Sequence, residues 1–254
     1  MNPMFADLKG KRVLITGASG GLGGAMAQLF AKHGARLGLH YCQNRNAAEQ
    51  LLAEVSTKTD AFLFEADLLH VESTKRLMHE FVTRLGGIDV LINNAGAVYD
   101  YKHFSELSEK AFTDTFALNV MAPFYLTAEA FPHMKAQGGG RVVNISSINV
   151  KYGGSAKSLH YSAAKAALES LTRGFAKEGA AHTILVNAIR CGFIDTPMRA
   201  RVNGYSEEHA KERVNLIPLK RMGKAEDIAC MALYLASGAG SFITGEVVTV
   251  AGGD

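Results

Sequence analysis

Tyr161 and Lys165 stand four apart in the Ala-rich run HYSAAKAAL, residues 160–168. Ala, Leu, Ser and Glu favour a helix there, and side chains four apart on a helix share a face. A phenol beside an ammonium is either a ring packed on an aliphatic stem or an acid–base pair. A free phenol titrates near pH ~10, too high for easy proton transfer at neutrality. An ammonium about 5 Å away, at an effective dielectric of about 20, favours the phenolate by roughly 3 kcal/mol and draws the phenol toward neutral pH. Tyr161 is then a candidate general acid. Ahead of it, NISS closes a β-branched run at Ser146 and Ser147. Either hydroxyl would stabilise charge developing on a substrate oxygen.

A second motif is TGASGGLGGAMAQLF, which follows the apolar run RVLITG at 12–17. Gly17, Gly21 and Gly23 give the spacing G-x-x-x-G-x-G. Glycine permits a tight turn and close backbone approach, and the helix that follows offers free N–H groups to a phosphate. The position, at a first strand–helix junction, points to a nucleotide. An NAD site usually carries an acid about 20 residues beyond this turn, accepting from the ribose 2′-OH. Here no Asp or Glu occurs between Asp7 and Glu49. Arg45, with Asn44, follows the second run instead. A guanidinium fork suits a 2′-phosphate, so NADP(H) is expected over NAD(H).

These motifs need elements to position them. Short β-branched runs lie at 12–17, 36–41, 61–66, 89–94, 141–146, 184–189 and 246–250. Helical patterns fill 21–33, 46–56, 72–85, 107–135, 160–181 and 225–236. Such alternation predicts an α/β fold: one Rossmann-type, doubly wound parallel sheet of about seven strands, with helices on both faces. No linker, repeat or low-complexity tract divides residues 1–254 into further domains. The polar segment 193–217 reads as an excursion covering a site. The glycine turn, NNAG at 93–96, Ser147 and Gly192 with Thr196 all follow strands, hence lie on one rim of the sheet.

The chain resembles the short-chain dehydrogenase/reductase family over essentially its whole length. The matching residues are Thr16-Gly17-x-x-x-Gly21-x-Gly23, Asn93-Asn94-Ala95-Gly96, Asn119, Ser147 and Tyr161-x-x-x-Lys165, with RMGKAEDIACMALYLAS…SFITGEVVTVAGG near the C-terminus. The resemblance implies hydride transfer between a nicotinamide cofactor and a carbonyl or secondary alcohol. Tyr161 would be the acid–base group, Ser147 the oxyanion partner, and Lys165 a ligand of the nicotinamide ribose. Asn119 would hold a water linking Lys165 to solvent. Family position favours Ser147 over Ser146. The implied cofactor contacts are Gly17, Ser19, Gly21, Leu22, Gly23, Tyr41, Asn44, Arg45, Asp67, Leu68, Asn94, Ala95, Gly96, Tyr161, Lys165, Gly192, Ile194 and Thr196. A homotetramer is also implied. The nearest branch is that of the 3-oxoacyl-[acyl-carrier-protein] reductases and related polyol dehydrogenases.

Some features depart from that pattern. Cys191 stands where relatives commonly have proline, and a buried, inert thiol is the expectation. Ala251 stands where relatives often have Asp. Thirteen residues separate Ser147 from Tyr161, one more than in many members. Pro123 is expected to kink the helix around Asn119. The basic residues an acidic carrier protein would need are weakly represented, His182 being the one candidate. Asn149, Lys151, Tyr152, Lys157 and His160 crowd the loop before Tyr161, with Arg199 and Arg201 in the excursion. Both an anionic or hydroxylated substrate and plain solvation of the loop explain them. The alternatives are a 3-oxoacyl-[acyl-carrier-protein] reductase specifically, a non-catalytic NADP(H)-sensing regulatory protein, and an isomerase or epimerase that retains its cofactor.

Composition narrows the partners. The formal net charge is +3, too weak to argue for nucleic acid, and Trp is absent. The three cysteines, Cys42, Cys191 and Cys230, form neither a disulfide framework nor a metal spacing, which suits a reducing cytoplasm. No run approaches a membrane span, and the first residues lack an apolar signal core.

Overall fold

Seven strands build a single parallel sheet in this computed structural model, which describes residues 3–196 and 206–254. They are β1 (Arg12–Ile15), β2 (Arg36–Tyr41), β3 (Ala61–Glu65), β4 (Val90–Asn93), β5 (Gly140–Ser147), β6 (Ile184–Cys191) and β7 (Val247–Val250), in the order β3-β2-β1-β4-β5-β6-β7. The order reverses between β1 and β4, and a crevice opens there beyond the carboxyl ends of the strands. Helices cover both faces. On one lie α1 (Gly21–Lys32), α2 (Arg45–Val55) and α9 (Ala225–Ala236). On the other lie α3 (Val71–Leu85), α5 (Ala122–Ala136) and α7 (Leu159–Ala180).

The continuous apolar strands follow from that double cover. Val13 and Ile15 of β1 pack into the first layer, with Met26 and Phe30. Leu14 points the other way, toward Leu77, Phe81 and Leu91. Phe81 is fully buried, so Phe81→Ala would cost about 3–5 kcal/mol. Asn44 caps α2, its side-chain oxygen accepting from Ala47 N at 3.2 Å.

The helix expected over 107–135 is interrupted. α4 (Glu109–Phe116) runs into a π turn, Ala117–Met121, before α5 begins. Pro123 has no N–H to return to the Asn119 carbonyl four residues back, which favours the widened turn. Asn119 therefore sits on a bulge rather than a regular helix. Its amide nitrogen donates to Thr115 O at 2.8 Å and Ala97 O at 2.9 Å, tying the turn to the segment after β4. A short helix α6 (Asn149–Tyr152) lies between β5 and α7, and α8 (Glu207–Leu216) occupies the far part of the 193–217 excursion. Residues 197–205, with Arg199 and Arg201, lie outside the described residues.

Candidate active site

The turn after β1 is held by a dense set of hydrogen bonds. Gly17 adopts φ +64°, a conformation that favours glycine. Asn94 Nδ2 donates to Thr16 O at 2.8 Å and Gly17 O at 3.1 Å. Thr16 Oγ1 accepts from Asn94 N and Ala95 N, each at 2.9 Å. The NNAG segment is thus a strut that fixes the glycine turn. A Cβ on Gly23 would lie 2.3 Å from Gly17 O, so only glycine lets α1 start this close to the turn. Ser19 and Leu22 stand half-buried on the same turn and Gly21 opens the helix.

Across the switch point, Tyr161, Ser147, Lys165 and Asn119 come together. Tyr161 and Lys165 share a face of α7, with Lys165 Nζ 5.7 Å from the phenol ring centroid. Lys165 Nζ donates to Ile145 O at 2.8 Å. A Cβ on Gly96 would meet both Asn119 Oδ1, at 2.8 Å, and Lys165 Nζ, at 3.2 Å. Asn119 Oδ1 is buried with no protein donor. Ser147 hydrogen-bonds the Tyr161 phenol and accepts from Asn149 N at 3.3 Å.

Electrostatics here differ from the expectation. Lys165 was expected to draw the phenol toward neutrality. Instead burial pushes Tyr161 up to about 12, the neighbouring Cys191 adds to the rise, and the Ser147 hydrogen bond opposes it. Burial also brings Lys165 down to about 8. Desolvation penalises the charged form of both groups and is the largest cause of each shift. Cys191 is buried, and its thiol is pushed up to about 12, as suits an inert thiol.

Ser146 is turned elsewhere. Its hydroxyl donates to Glu169 Oε1 at 2.7 Å, and Glu169 takes a bidentate ion pair from Arg190, at 2.9 and 2.6 Å. Adjacent side chains on β5 point apart, so Ser146 meets Glu169, about two turns further along α7, while Ser147 is left to Tyr161.

At the outer end of the crevice stand Tyr41, Asn44 and Arg45. Arg45 Nε pairs with Glu49 at 2.9 Å, and its Nη1 lies 3.9 Å from Glu65 Oε2. Tyr41 OH donates to that same Glu65 oxygen at 2.7 Å. Asn44 is engaged as the cap of α2. Asp67 Oδ1 accepts from Leu69 N at 3.0 Å, which shapes the loop after β3, and Leu68 is buried beside it. On the far side Gly192 N donates to Val250 O at 3.0 Å, and Ile194 bridges to Gly223. Thr196 is the last residue described before the gap.

Three features escaped the sequence reading. His40 touches the glycine turn, Glu65 faces Arg45, and Glu169 with Arg190 engages Ser146. None has a motif, because each partner is distant in sequence. A histidine inside the apolar strand RLGLHY was the one visible signal. Near the start of α7, His160 Nε2 donates to Tyr99 O at 2.8 Å, and Asp254 joins Arg213 of α8 to Tyr152 of α6.

A glycine turn at the switch point of a doubly wound sheet, facing a tyrosine and lysine one helical turn apart, defines a dinucleotide-dependent oxidoreductase site. Comparison agrees. Residues 17–254 match the family profile described as Enoyl-(Acyl carrier protein) reductase. The short chain dehydrogenase mdpC of Emericella nidulans is 34% identical over 256 residues, covering 97% of this chain and 96% of that protein. The 3-oxoacyl-[acyl-carrier-protein] reductase FabG of Aquifex aeolicus is 36% identical over 253 residues, covering 98% of this chain and 99% of its own. A crystal structure of a blue fluorescent protein from a metagenomic library, in complex with NADPH, superposes with a TM-score of 0.91 at 32% identity, covering 97% of this chain and 98% of that one. The chain belongs to the short-chain dehydrogenase/reductase family and is an NAD(P)-dependent oxidoreductase.

Proposed function

We propose that the protein interconverts a carbonyl and a secondary alcohol, with NADP(H) preferred over NAD(H) and Tyr161 moving the proton. The observation that carries this reading is the cluster facing the glycine turn, in which the half-buried Tyr161 and Ser147 stand beside the buried Lys165 and Asn119. The residues fit a dinucleotide. The close approach at Gly23 leaves backbone N–H groups at the start of α1 for a pyrophosphate. The bare Cα of Gly96 leaves Lys165 Nζ open toward the crevice, where a ribose would lie. When bound, NADP(H) supplies or accepts the hydride.

The chain's own residues do the rest. The Tyr161 phenol, pushed up to about 12, is fully protonated at neutral pH and so is loaded to donate to a carbonyl oxygen. Ser147 donates to the same oxygen as its charge develops. Lys165, brought down to about 8, remains mostly an ammonium at pH ~7 and offsets negative charge on the phenol. The unpartnered Asn119 Oδ1 is an acceptor for a water leading protons to Lys165. Arg45 would take the 2′-phosphate by exchanging its pairs with Glu49 and Glu65. The NADPH named in the structural relative supports the same choice.

The exposed rings of Phe112 and Phe124 on α4 and α5 support assembly into a homotetramer, and light scattering would measure it. No described helix is long and apolar enough to cross a membrane; the free Cys42, Cys191 and Cys230 support a cytoplasmic enzyme. The test of function is NADPH oxidation, with NADH in parallel, against a 3-oxoacyl thioester, cyclic ketones, diketones and keto-sugars. Turnover of one class, faster with NADPH, is expected. Tight NADPH binding without turnover of any carbonyl would turn the reading toward a non-catalytic sensor. Product change without net NADPH consumption would turn it toward an epimerase.

A further inference from the structure

The ring of His40 lies in β2 and is 2% exposed, yet both its nitrogens are engaged. Nε2 faces Ala66 O at 3.0 Å, and a carbonyl only accepts, so Nε2 carries the proton. Nδ1 is then the acceptor, and Gly17 N donates to it at 3.0 Å. The main-chain oxygen of the same residue accepts from Ala18 N at 2.8 Å. One residue therefore holds two consecutive amides of the glycine turn and reaches across to the segment after β3. That segment carries Asp67 and Leu68. Burial keeps the ring neutral, lowering it to about 4, so the acceptor persists at physiological pH.

We propose that His40 is a positioning residue for the cofactor: its Nδ1 fixes the glycine turn that must receive the pyrophosphate, and Ala66 O holds the ring in the tautomer that leaves Nδ1 an acceptor. The inference rests on the dinucleotide reading above. Its physical basis is the acceptor that Nδ1 offers to Gly17 N. Gly17 lies in a left-handed conformation with one polar side chain on its N–H, so loss of that acceptor lets the turn shift. A rim displaced by a fraction of an ångström meets the pyrophosphate less well.

Three variants separate positioning from packing. In His40→Asn the side-chain oxygen stands where Nδ1 stood and retains the Gly17 contact. In His40→Gln the amide extends toward Ala66 and leaves Gly17 N–H unpaired. His40→Phe fills the ring volume with neither contact. NADPH and NADH affinities would be read by fluorescence titration, kcat and cofactor KM by turnover, and folding by circular dichroism. We expect the Gln and Phe variants to bind NADPH about tenfold more weakly, with kcat at saturating cofactor unchanged, and Asn to recover most of the affinity. Equal affinity in all folded variants, or equal loss in Asn and Gln, would overturn the proposal. If Phe fails to fold, the Asn and Gln pair decides, and failure of all three assigns His40 a purely structural role. A wild-type chain that binds neither dinucleotide defeats the cofactor reading first, before any variant is compared.

Discussion

The two halves of the rim treat polar groups in opposite ways. Around the glycine turn, Thr16, His40 and, from beyond β4, Asn94 form a closed set of hydrogen bonds, and burial there only keeps the His40 ring neutral. On the β4–β5–β6 side, burial perturbs the groups. Tyr161 is raised, Lys165 is lowered, and Asn119 Oδ1 has no protein donor. A satisfied network is rigid, which suits a surface that must match a fixed ligand. Groups held out of balance have protons and hydrogen bonds still to exchange, which suits a reacting centre. Under the proposed function, the contrast marks where binding and chemistry divide.

Breaking the reacting half should have the largest effect. Tyr161→Phe is expected to cut turnover about 10²- to 10⁴-fold while NADPH titration stays unchanged, because the proposed proton donor goes and the turn remains. Unchanged turnover would remove Tyr161 from its role. Next come the two serines. Ser147→Ala should lose about 10²-fold in kcat. Ser146→Ala should leave kcat alone but lower unfolding free energy by about 1–3 kcal/mol, since Glu169 loses a buried donor. Denaturant melts alongside kinetics check both, and reversed roles would break the serine assignment.

In the binding half, Gly23→Ala forces a methyl against Gly17 O and should cost about 1–3 kcal/mol of stability together with NADPH affinity. Calorimetric titration against wild type measures it. A pH profile sharpens the comparison further. Lys165 is charged below about 8 and neutral above, so carbonyl reduction should fall as pH rises through about 8. A rate flat from pH ~7 to ~9.5 would deny the ammonium a part. The smallest effect is expected at the exposed Arg45. Arg45→Ala should raise KM for NADPH about three- to tenfold and leave NADH alone, because its charge is solvated and shared with Glu49 and Glu65.

Much of the frame was legible in the chain. Every strand run and nearly every helix pattern recurs with ends moved by a residue or two, because apolar runs and helical periods are local signals. The helix over 107–135 was the exception. Its pattern is helical throughout, and the π turn at Asn119 depends on Pro123 and on a side-chain bond to Ala97 from another segment. The choice of Ser147 over Ser146 rested on resemblance, and the structure adds that the Ser146 hydroxyl is engaged by Glu169. The expected fall in the Tyr161 phenol was mistaken, because pair spacing reveals a charge but not how deeply both groups are buried.

Local spacing in the sequence determined that Tyr161 and Lys165 share a helix face, that a glycine turn follows the first strand, and that no acid answers the ribose on the second. These depend on residues within a few turns of one another. Only the tertiary structure decided that His40 holds Gly17, that Asn94 braces the turn, that Glu65 confronts Arg45, and that burial overrides the lysine at Tyr161. Those outcomes depend on strands brought side by side from distant parts of the chain, and on how much water their packing excludes.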